Sequence, residues 1–380
     1  MTDLAKIYMG SLIMPVSGNC NLNCAYCYRA QMRDNNVKRM SFDVLERFIA
    51  QYIELNPVMP SFGWQGGEPL LAGLDFYKKV IELQCKYKKS NTAVSNSIQT
   101  NATLINDGWA KFFKENDFLV GVSIDGPSEY HDSLRVDSSG GPTLKRVLRG
   151  VGYLRKYDVD FNILLTINKY NVKHAVKVFR YLINKGFYYV QLIPVTDFND
   201  RGEPSAYTIT PDEYTNFICT ILNEWIKLDN PSVYVNIIDI LLHSYLGYKP
   251  PYCVFNRLCD KMITVDYNGD VYPCDFFAEE KYKIGNIMES DINDMFKMQS
   301  YKSYIGNMHA LPDECKVCRW FFTCHGGCMR HMDVFKKGVK ENYFCRSYKK
   351  IFEYYFDTFN RVKNSPRNSN LRNFLLSLQE

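Results

Sequence analysis

Cys20-Asn21-Leu22-Asn23-Cys24-Ala25-Tyr26-Cys27 follows a short apolar run, Ile7–Pro15, with Val16-Ser17-Gly18-Asn19 between them. The run reads as a first β-strand, so the three cysteines fall on the loop at its C-terminal end, where α/β folds place their sites. Three thiolates can hold three irons of a [4Fe–4S] cube and leave the fourth iron open to a chelating ligand. A structural zinc site normally takes four ligands, and no histidine lies nearby to complete one.

Downstream, apolar runs at Ser61–Trp64, Ser97–Thr100, Leu119–Ile124, Phe161–Ile167 and Val190–Pro194 alternate with helical patterns. These patterns are Phe42–Tyr52, Phe76–Tyr87, Trp109–Glu115, Leu144–Tyr157 and His174–Lys185. Strands separated by helices of this length predict βαβ crossovers and a parallel sheet. Six such units are too few for a closed eight-stranded barrel, so an α/β partial (β/α)6 barrel is expected. Thr210-Pro211-Asp212-Glu213 has the residues of a capped helix start with a capping box.

After about Tyr248 cysteine density rises and helices shorten. Ile263–Val265 and Val271-Tyr272 around Asn268-Gly269 read as a β-hairpin. A small loop-rich region of this kind needs staples, which metal clusters can supply. The Phe- and Tyr-rich stretch Tyr348–Phe359 predicts a helix packing back on the body. The division expected is a partial barrel over 1–235, a cysteine-rich domain over 236–364, and a loose polar tail over 365–380.

Composition narrows the function classes. The 380 residues are 46% hydrophobic, enough for a sizeable core, and no apolar run reaches the length of a membrane span. Met1–Lys6 has neither a basic start nor a signal-peptide core, which predicts a cytoplasmic protein with no membrane partner. The net charge of +5 comes from scattered Lys and Arg, with no basic block, so nucleic acid is not indicated. Lys78, Lys79, Lys86, Lys88 and Lys89 read as solvated helix faces. Thirteen cysteines in a reducing compartment point to metal or chemistry and away from disulfides. Cys85 and Cys219 stand apart from the groups and read as small buried hydrophobes.

Gln65-Gly66-Gly67-Glu68-Pro69 follows the second strand. Its glycines would let backbone approach a ligand, and Glu68 could pair with an ammonium. Together with Cys20-x3-Cys24-x2-Cys27 this motif resembles the radical S-adenosylmethionine superfamily. The resemblance implies that S-adenosylmethionine chelates the open iron and is cleaved to a 5′-deoxyadenosyl radical. It also implies cofactor contacts at Gln65, Gly66, Gly67 and Glu68. Ser97–Asn101 and Ser123–Pro127 end strands three and four, and Ser123 and Asp125 are candidates near cofactor or substrate. The alternative for Asp125 is a cap on the Gly126-Pro127 turn. His131-Asp132-x2-Arg135 resembles a family stretch whose arginine meets the cofactor carboxylate.

Cys259-x9-Gly269-x4-Cys274, Cys315-x2-Cys318-x5-Cys324-x3-Cys328 and Cys345 form a second constellation, and Cys253 makes eight cysteines. Eight thiolates suffice for two fully ligated [4Fe–4S] clusters, giving three clusters in all. The order resembles the SPASM domain. That resemblance assigns Cys253, Cys259, Cys274 and Cys328 to one cluster, and Cys315, Cys318, Cys324 and Cys345 to the other. A fully ligated cluster can accept or relay electrons but cannot chelate a substrate. Oxidation to the carbonyl level also needs a base, and Asp275, next to Cys274, is the candidate. Its alternative is a turn cap.

The whole pattern, from about Ile13 to Tyr355, resembles the anaerobic sulfatase-maturating enzymes. The stretches that carry this are Gln65–Pro69, Val271–Phe276, Gly285-Asn286-Ile287 and Arg319–Cys328. It implies β-hydrogen abstraction from a Cys or Ser of a sulfatase segment, formylglycine as product, and a low-potential electron donor as partner. Tyr28-Arg29 departs from that family, which often has two aromatics after the third cysteine. A peptide-crosslinking enzyme of the same superfamily is the nearest rival, and the 19 residues ahead of Cys20 argue against its peptide-binding domain. A non-catalytic iron–sulfur carrier or zinc scaffold would need neither the Gly-Gly-Glu-Pro motif nor the βα body.

Overall fold

The structure is a computed structural model. It describes residues 10–34, 38–199, 202–250, 252–256, 259, 262–309, 311–332, 341–365 and 367–378. Residues 7–9 of the first apolar run, and the Met1–Lys6 segment, lie outside them. Ten strands occur along the described chain: β1 Gly10–Met14, β2 Ser61–Trp64, β3 Ser95–Thr100, β4 Phe118–Ser123, β5 Phe161–Ile167, β6 Tyr189–Pro194, β7 Tyr234–Val235, β8 Met262–Asp266, β9 Asp270–Tyr272 and β10 Gly285–Asn286. Helices α1 Phe42–Leu55, α2 Leu74–Tyr87, α3 Asp107–Glu115, α4 Ser128–Leu134, α5 Leu144–Lys156, α6 Ala175–Asn184, α7 Pro211–Leu228 and α8 Asn236–Tyr245 alternate with them. The six βα units expected from the sequence are present, so the protein is α/β.

The chain divides into two compact units, each discontinuous in sequence. The first takes the described residues of Met1–Ser123, Leu134–Phe161 and Cys259–His309. Its strands run β10-β9-β8-β1-β2-β3-β4. Strands β8, β1, β2, β3 and β4 pair in parallel, while β8–β9 and β9–β10 are antiparallel. The hairpin expected around Asn268-Gly269 is thus β8–β9, closed by Gly269 N donating to Asp266 O at 2.9 Å.

Strand alternation sorts this sheet's faces. In β3 the buried Asn96, Ile98 and Thr100 alternate with half-buried Ser97 and Gln99. In β2 buried Phe62 and Trp64 alternate with exposed Ser61 and half-buried Gly63. The apolar side packs on the helices through Phe48, Tyr52, Phe62, Trp64, Phe76 and Tyr77, whose rings contact one another edge-on or stacked. Helix α1 joins this core because Val44, Leu45, Phe48, Ile49, Tyr52 and Ile53 recur on one face. Ser41 caps it by accepting from Val44 N at 3.2 Å. Asn96 is tolerated in the core because it accepts from Trp64 Nε1 and Gln84 Nε2, both at 3.0 Å.

The second unit comprises Ile124–Ser133 and the described residues of Asn162–Leu258 and Ala310–Glu380. Here β5, β6 and β7 pair in parallel. Thr210 and Glu213 form the capping box read from the sequence, and Lys169 holds Glu213 at 2.6 Å. The aromatic stretch expected to be helical lies within a longer helix, Cys345–Lys363, which buries Tyr348, Ile351, Phe352, Tyr355 and Phe359. Tyr355 donates to Ile218 O on α7 at 3.3 Å.

Two expectations fail. Residues Ser369–Ser377 form a helix, not a loose tail, because Leu371 and Leu375, one turn apart, are both buried. Asp229 fixes its start by accepting from Leu371 N at 2.9 Å. Cys85 is exposed on α2 and Cys219 is half-buried, so Cys85 is no core residue. The α2 lysines are solvated as expected: Lys78, Lys79 and Lys86 pair with Asp75, Glu82 and Glu46 at the surface. Among the described residues no helix is long and apolar enough to cross a membrane.

Helix α5 carries two glycines with opposite roles. A Cβ on Gly150 would lie 2.2 Å from Ala102 O, whereas one on Gly152 would meet nothing within 4 Å. Gly152→Ala should therefore raise stability by about 0.5–1 kcal/mol through helix propensity, and Gly150→Ala should lower it by about 1–3 kcal/mol through overpacking. Urea unfolding of both variants checks this, and equal effects would contradict it.

Candidate active site

Strand β1 ends at Met14, and the chain turns at Ser17, whose φ is 53°. Ser17 Oγ donates to Asp266 Oδ2 at 3.0 Å. The cysteine loop is then tied down along its length. Asn23 N donates to Val136 O at 2.7 Å and Ala25 N to Leu134 O at 2.9 Å. Asn21 accepts from Asn101 Nδ2 and donates to Thr103 Oγ1, each at 2.9 Å.

The Gln65–Pro69 turn presses on this loop backbone to backbone. Gly67 N donates to Ser17 O at 2.7 Å and Glu68 N to Asn19 O at 2.8 Å. A Cβ on Gly67 would lie 1.9 Å from Asn19 O; one on Gly66, with φ of 123°, would lie 2.7 Å from Ser17 O. The sequence reading took these glycines as room for a ligand. The structure shows that they give room to the cysteine loop itself.

Glu68 has partners within the chain. It is fully buried and already occupied. Thr100 Oγ1 and Leu70 N donate to Oε1 at 2.7 and 3.1 Å, and Asn101 N donates to Oε2 at 2.8 Å. Its carboxylate thus welds the turn to the end of β3. On the same turn Gln65 Nε2 is buried without a hydrogen-bond partner among the described residues, so this turn has a donor to spare for a bound group.

Ser123, at the end of β4, accepts from Gln99 Nε2 at 3.1 Å. Arg135 donates to the Tyr26 hydroxyl at 2.8 Å, which sets its charge beside the cysteine motif. In the second unit, Asp125 is tied to β5 and to Asn171. It is fully buried, with Thr166 N donating to Oδ1 at 3.1 Å and Asn171 Nδ2 donating to its main-chain oxygen at 3.2 Å.

Asp275 opens a short turn, Asp275–Phe277, directly after Cys274. Tyr28 OH donates to its Oδ2 at 2.9 Å, and Arg29 Nη2 lies 3.4 Å from the same oxygen and 3.3 Å from the main-chain oxygen. Sequence reasoning noted Arg29 as a departure but missed this contact, because the two segments are 246 residues apart. Burial and the neighbouring carboxylate push the Tyr28 phenol well above its usual range.

None of the thirteen cysteines is in a disulfide. Cys20 Sγ receives Leu22 N at 3.3 Å and Asn101 Nδ2 at 3.7 Å. Burial, with Glu68 and Cys24 nearby, pushes its thiol up to about 12. In the second unit Cys324 lies within electrostatic reach of Cys345, Cys315 and Cys318, and burial pushes it too up to about 12. Of the other proposed set, Cys259 and Cys274 belong to the first unit and Cys253 and Cys328 to the second. Among the described residues no three His, Cys, Asp or Glu side chains converge closely enough to hold a single ion. A cube spreads its thiolates wider than one ion does. The grouping of Cys20 with Cys24, and of Cys324 with Cys315, Cys318 and Cys345, therefore fits iron–sulfur clusters better than single zinc ions.

Residues 14–182 match the Radical SAM superfamily, and residues 253–319 match an iron–sulfur cluster-binding domain, SPASM. Fold and motifs therefore define a radical S-adenosylmethionine protein with an auxiliary-cluster domain. The chain is 38% identical over 363 residues to the cysteine-type anaerobic sulfatase-maturating enzyme of Clostridium perfringens, covering 93% of this chain and 98% of that one. It is 34% identical over 370 residues to the serine-type enzyme of Bacteroides thetaiotaomicron, covering 90% and 88%. A solved structure described as native anSMEcpe with bound AdoMet and Kp18Cys peptide superposes with a TM-score of 0.86 at 37% identity, covering 93% of this chain and 99% of that one. The chain belongs to the anaerobic sulfatase-maturating enzymes.

Two outcomes follow from the geometry around Glu68. Gly67→Ala has no room for its methyl, so cluster content at the first site and cofactor cleavage should both fall at least about tenfold, as expected for a displaced site loop. Retention of both would contradict the contact. Burial pushes Glu68 up to about 7 from 4.5, so between those values the folded protein holds a proton that the unfolded chain has released. Its contribution to stability therefore falls as pH rises through that window. Urea midpoints of Glu68→Gln should decline less steeply from pH 5 to 7 than those of wild type, and equal slopes would count against the raised pKa.

Proposed function

We propose that this chain oxidises a cysteine or serine of a sulfatase segment to formylglycine. The observation that carries the reading is the meeting of Asp275 with the loop just beyond Cys27. A base following one proposed cluster ligand is thereby fixed to the segment holding the first three cysteines.

Cys20, Cys24 and Cys27 would hold the cluster with an open iron. Cys253, Cys259, Cys274 and Cys328 would hold one auxiliary cluster, and Cys315, Cys318, Cys324 and Cys345 the other. Bound S-adenosylmethionine would supply 5′-deoxyadenosyl radical chemistry for removing a β-hydrogen from the target residue, and the fully ligated clusters would serve as electron acceptors. Gln65, the Gly66-Gly67 backbone and Glu68, with Ser123 and Arg135, would bind and orient the cofactor. Glu68 holds that turn in place. Asp275 would take the proton released by the target's thiol or hydroxyl, so that two electrons and two protons leave the residue in all; serine is then the aldehyde, while a cysteine's thioaldehyde becomes the aldehyde when water replaces its sulfur, released as hydrogen sulfide.

The domain division read from the sequence, a barrel to about residue 235 followed by the auxiliary-cluster domain, accompanies this reading. A low-potential electron donor would reduce the first cluster. A reducing, cytoplasmic compartment suits thirteen unbridged cysteines.

Asp275→Asn should continue to form 5′-deoxyadenosine while aldehyde formation drops at least about a hundredfold, the usual scale for loss of a general base. Undiminished aldehyde would show the base assignment to be wrong. Cys24→Ala should abolish both products, and unchanged cofactor cleavage would remove the basis of the reading.

A further inference from the structure

Arg29 has no part in the chemistry so far, yet it is among the most deeply buried side chains, with 2% of its side chain exposed. Burying a guanidinium costs several kcal/mol of hydration unless anions and acceptors replace the water. Here Asp275 supplies two acceptors, and Met32 Sδ lies 3.5 Å from Nη1. The guanidinium stands 4.9 Å from the centre of the Tyr28 ring, and Asp266 adds a second negative charge nearby. Tyr28 OH donates to the same carboxylate oxygen that Arg29 touches.

Two donors on one oxygen fix the direction of a carboxylate, and a third contact to the main-chain oxygen fixes the turn that carries it. Resting on the maturase reading above, we infer that Arg29 is a positioning residue: with Tyr28 it grips Asp275 by Oδ2 and by the backbone, leaving Oδ1 to take the target's proton. The neighbour of Oδ1 is Cys274 Sγ, at 3.5 Å. A thiolate bound to metal has no proton to donate, so ligation by Cys274 releases Oδ1 from that contact. Arg29 therefore sets the placement of the base in this chain.

The test uses anaerobically loaded protein and a sulfatase-motif peptide, and follows 5′-deoxyadenosine and aldehyde together for wild type, Arg29→Met, Arg29→Lys and Tyr28→Phe. In Arg29→Met, kcat for aldehyde should fall about 10- to 100-fold with KM within about threefold, while deoxyadenosine continues to form in excess over product. Arg29→Lys, keeping the charge without the planar fork, should recover part of that loss. Added to Asp275→Asn, Arg29→Met should change the aldehyde rate by less than about twofold, because both act through one carboxylate. Amide hydrogen exchange across residues 274–277 should quicken in loaded Arg29→Met.

Coupled turnover in Arg29→Met, parallel loss of deoxyadenosine, or a loss that multiplies with Asp275→Asn would each overturn the inference. Should Arg29→Met fail to fold, Arg29→Lys and Tyr28→Phe decide the matter through the same product ratio. If wild type forms deoxyadenosine but no aldehyde, the maturase reading fails instead, and unchanged exchange at 274–277 would then separately refute the grip.

Discussion

Two main-chain hydrogen bonds, from Gly67 N to Ser17 O and from Glu68 N to Asn19 O, set the geometry of this protein's chemical end. They bring the turn after β2 against the loop after β1 at a separation that no side chain on Gly67 would permit. Around that contact the remaining polar groups are satisfied in sequence. Glu68 spans from the turn to Thr100 and Asn101, and Asn101 reaches on to Asn21 and Cys20. The cysteine loop is thus held by the turn after β2, the end of β3 and the stretch that ends α4, as well as by its own turns. A loop that must present three thiolates to a cube needs this rigidity, because its own residues are too few to supply it.

Buried charge is the second theme, and it is resolved by pairing. Glu68 is covered completely and yet receives three donated hydrogen bonds. Arg29 is covered almost completely and lies against Asp275, with Asp266 nearby. The buried thiols Cys20 and Cys324 are pushed up to about 12, burial outweighing the opposing pull of Arg33 on Cys20. Their chemistry is completed when a metal centre takes the proton's place. Stability and cluster loading are coupled in such a design, since a thiol-rich loop without its metal keeps desolvated groups with little to offset them.

The βα rhythm was legible because its strands and helices carry strong periodic signals, and β2, β5 and the start of α1 fall where the sequence places them. The cysteine groups were legible because ligand spacing along a loop is a local property. What escaped was non-local. The capping role of Glu68 depends on Thr100 and Asn101, and the setting of Asp275 depends on Tyr28 and Arg29. No local pattern encodes such pairs. Leu371, Phe374, Leu375 and Leu378 recur at helical spacing, but the polar residues from Ser365 to Asn370 ahead of them masked that signal, so the final helix read as a tail. Cys85 misled because residue type predicts burial only on average, and on α2 it falls on the outward face.

The central claim is that one chain couples radical formation to two-electron oxidation of a peptide side chain, and product analysis tests it most directly. Anaerobically reconstituted protein would be given S-adenosylmethionine, a reductant, and a sulfatase-motif peptide bearing cysteine or serine. Mass spectrometry would then follow 5′-deoxyadenosine and the peptide together. The account predicts an aldehyde-bearing peptide accumulating in step with deoxyadenosine. Deoxyadenosine formed beside an unchanged peptide of either type would contradict it.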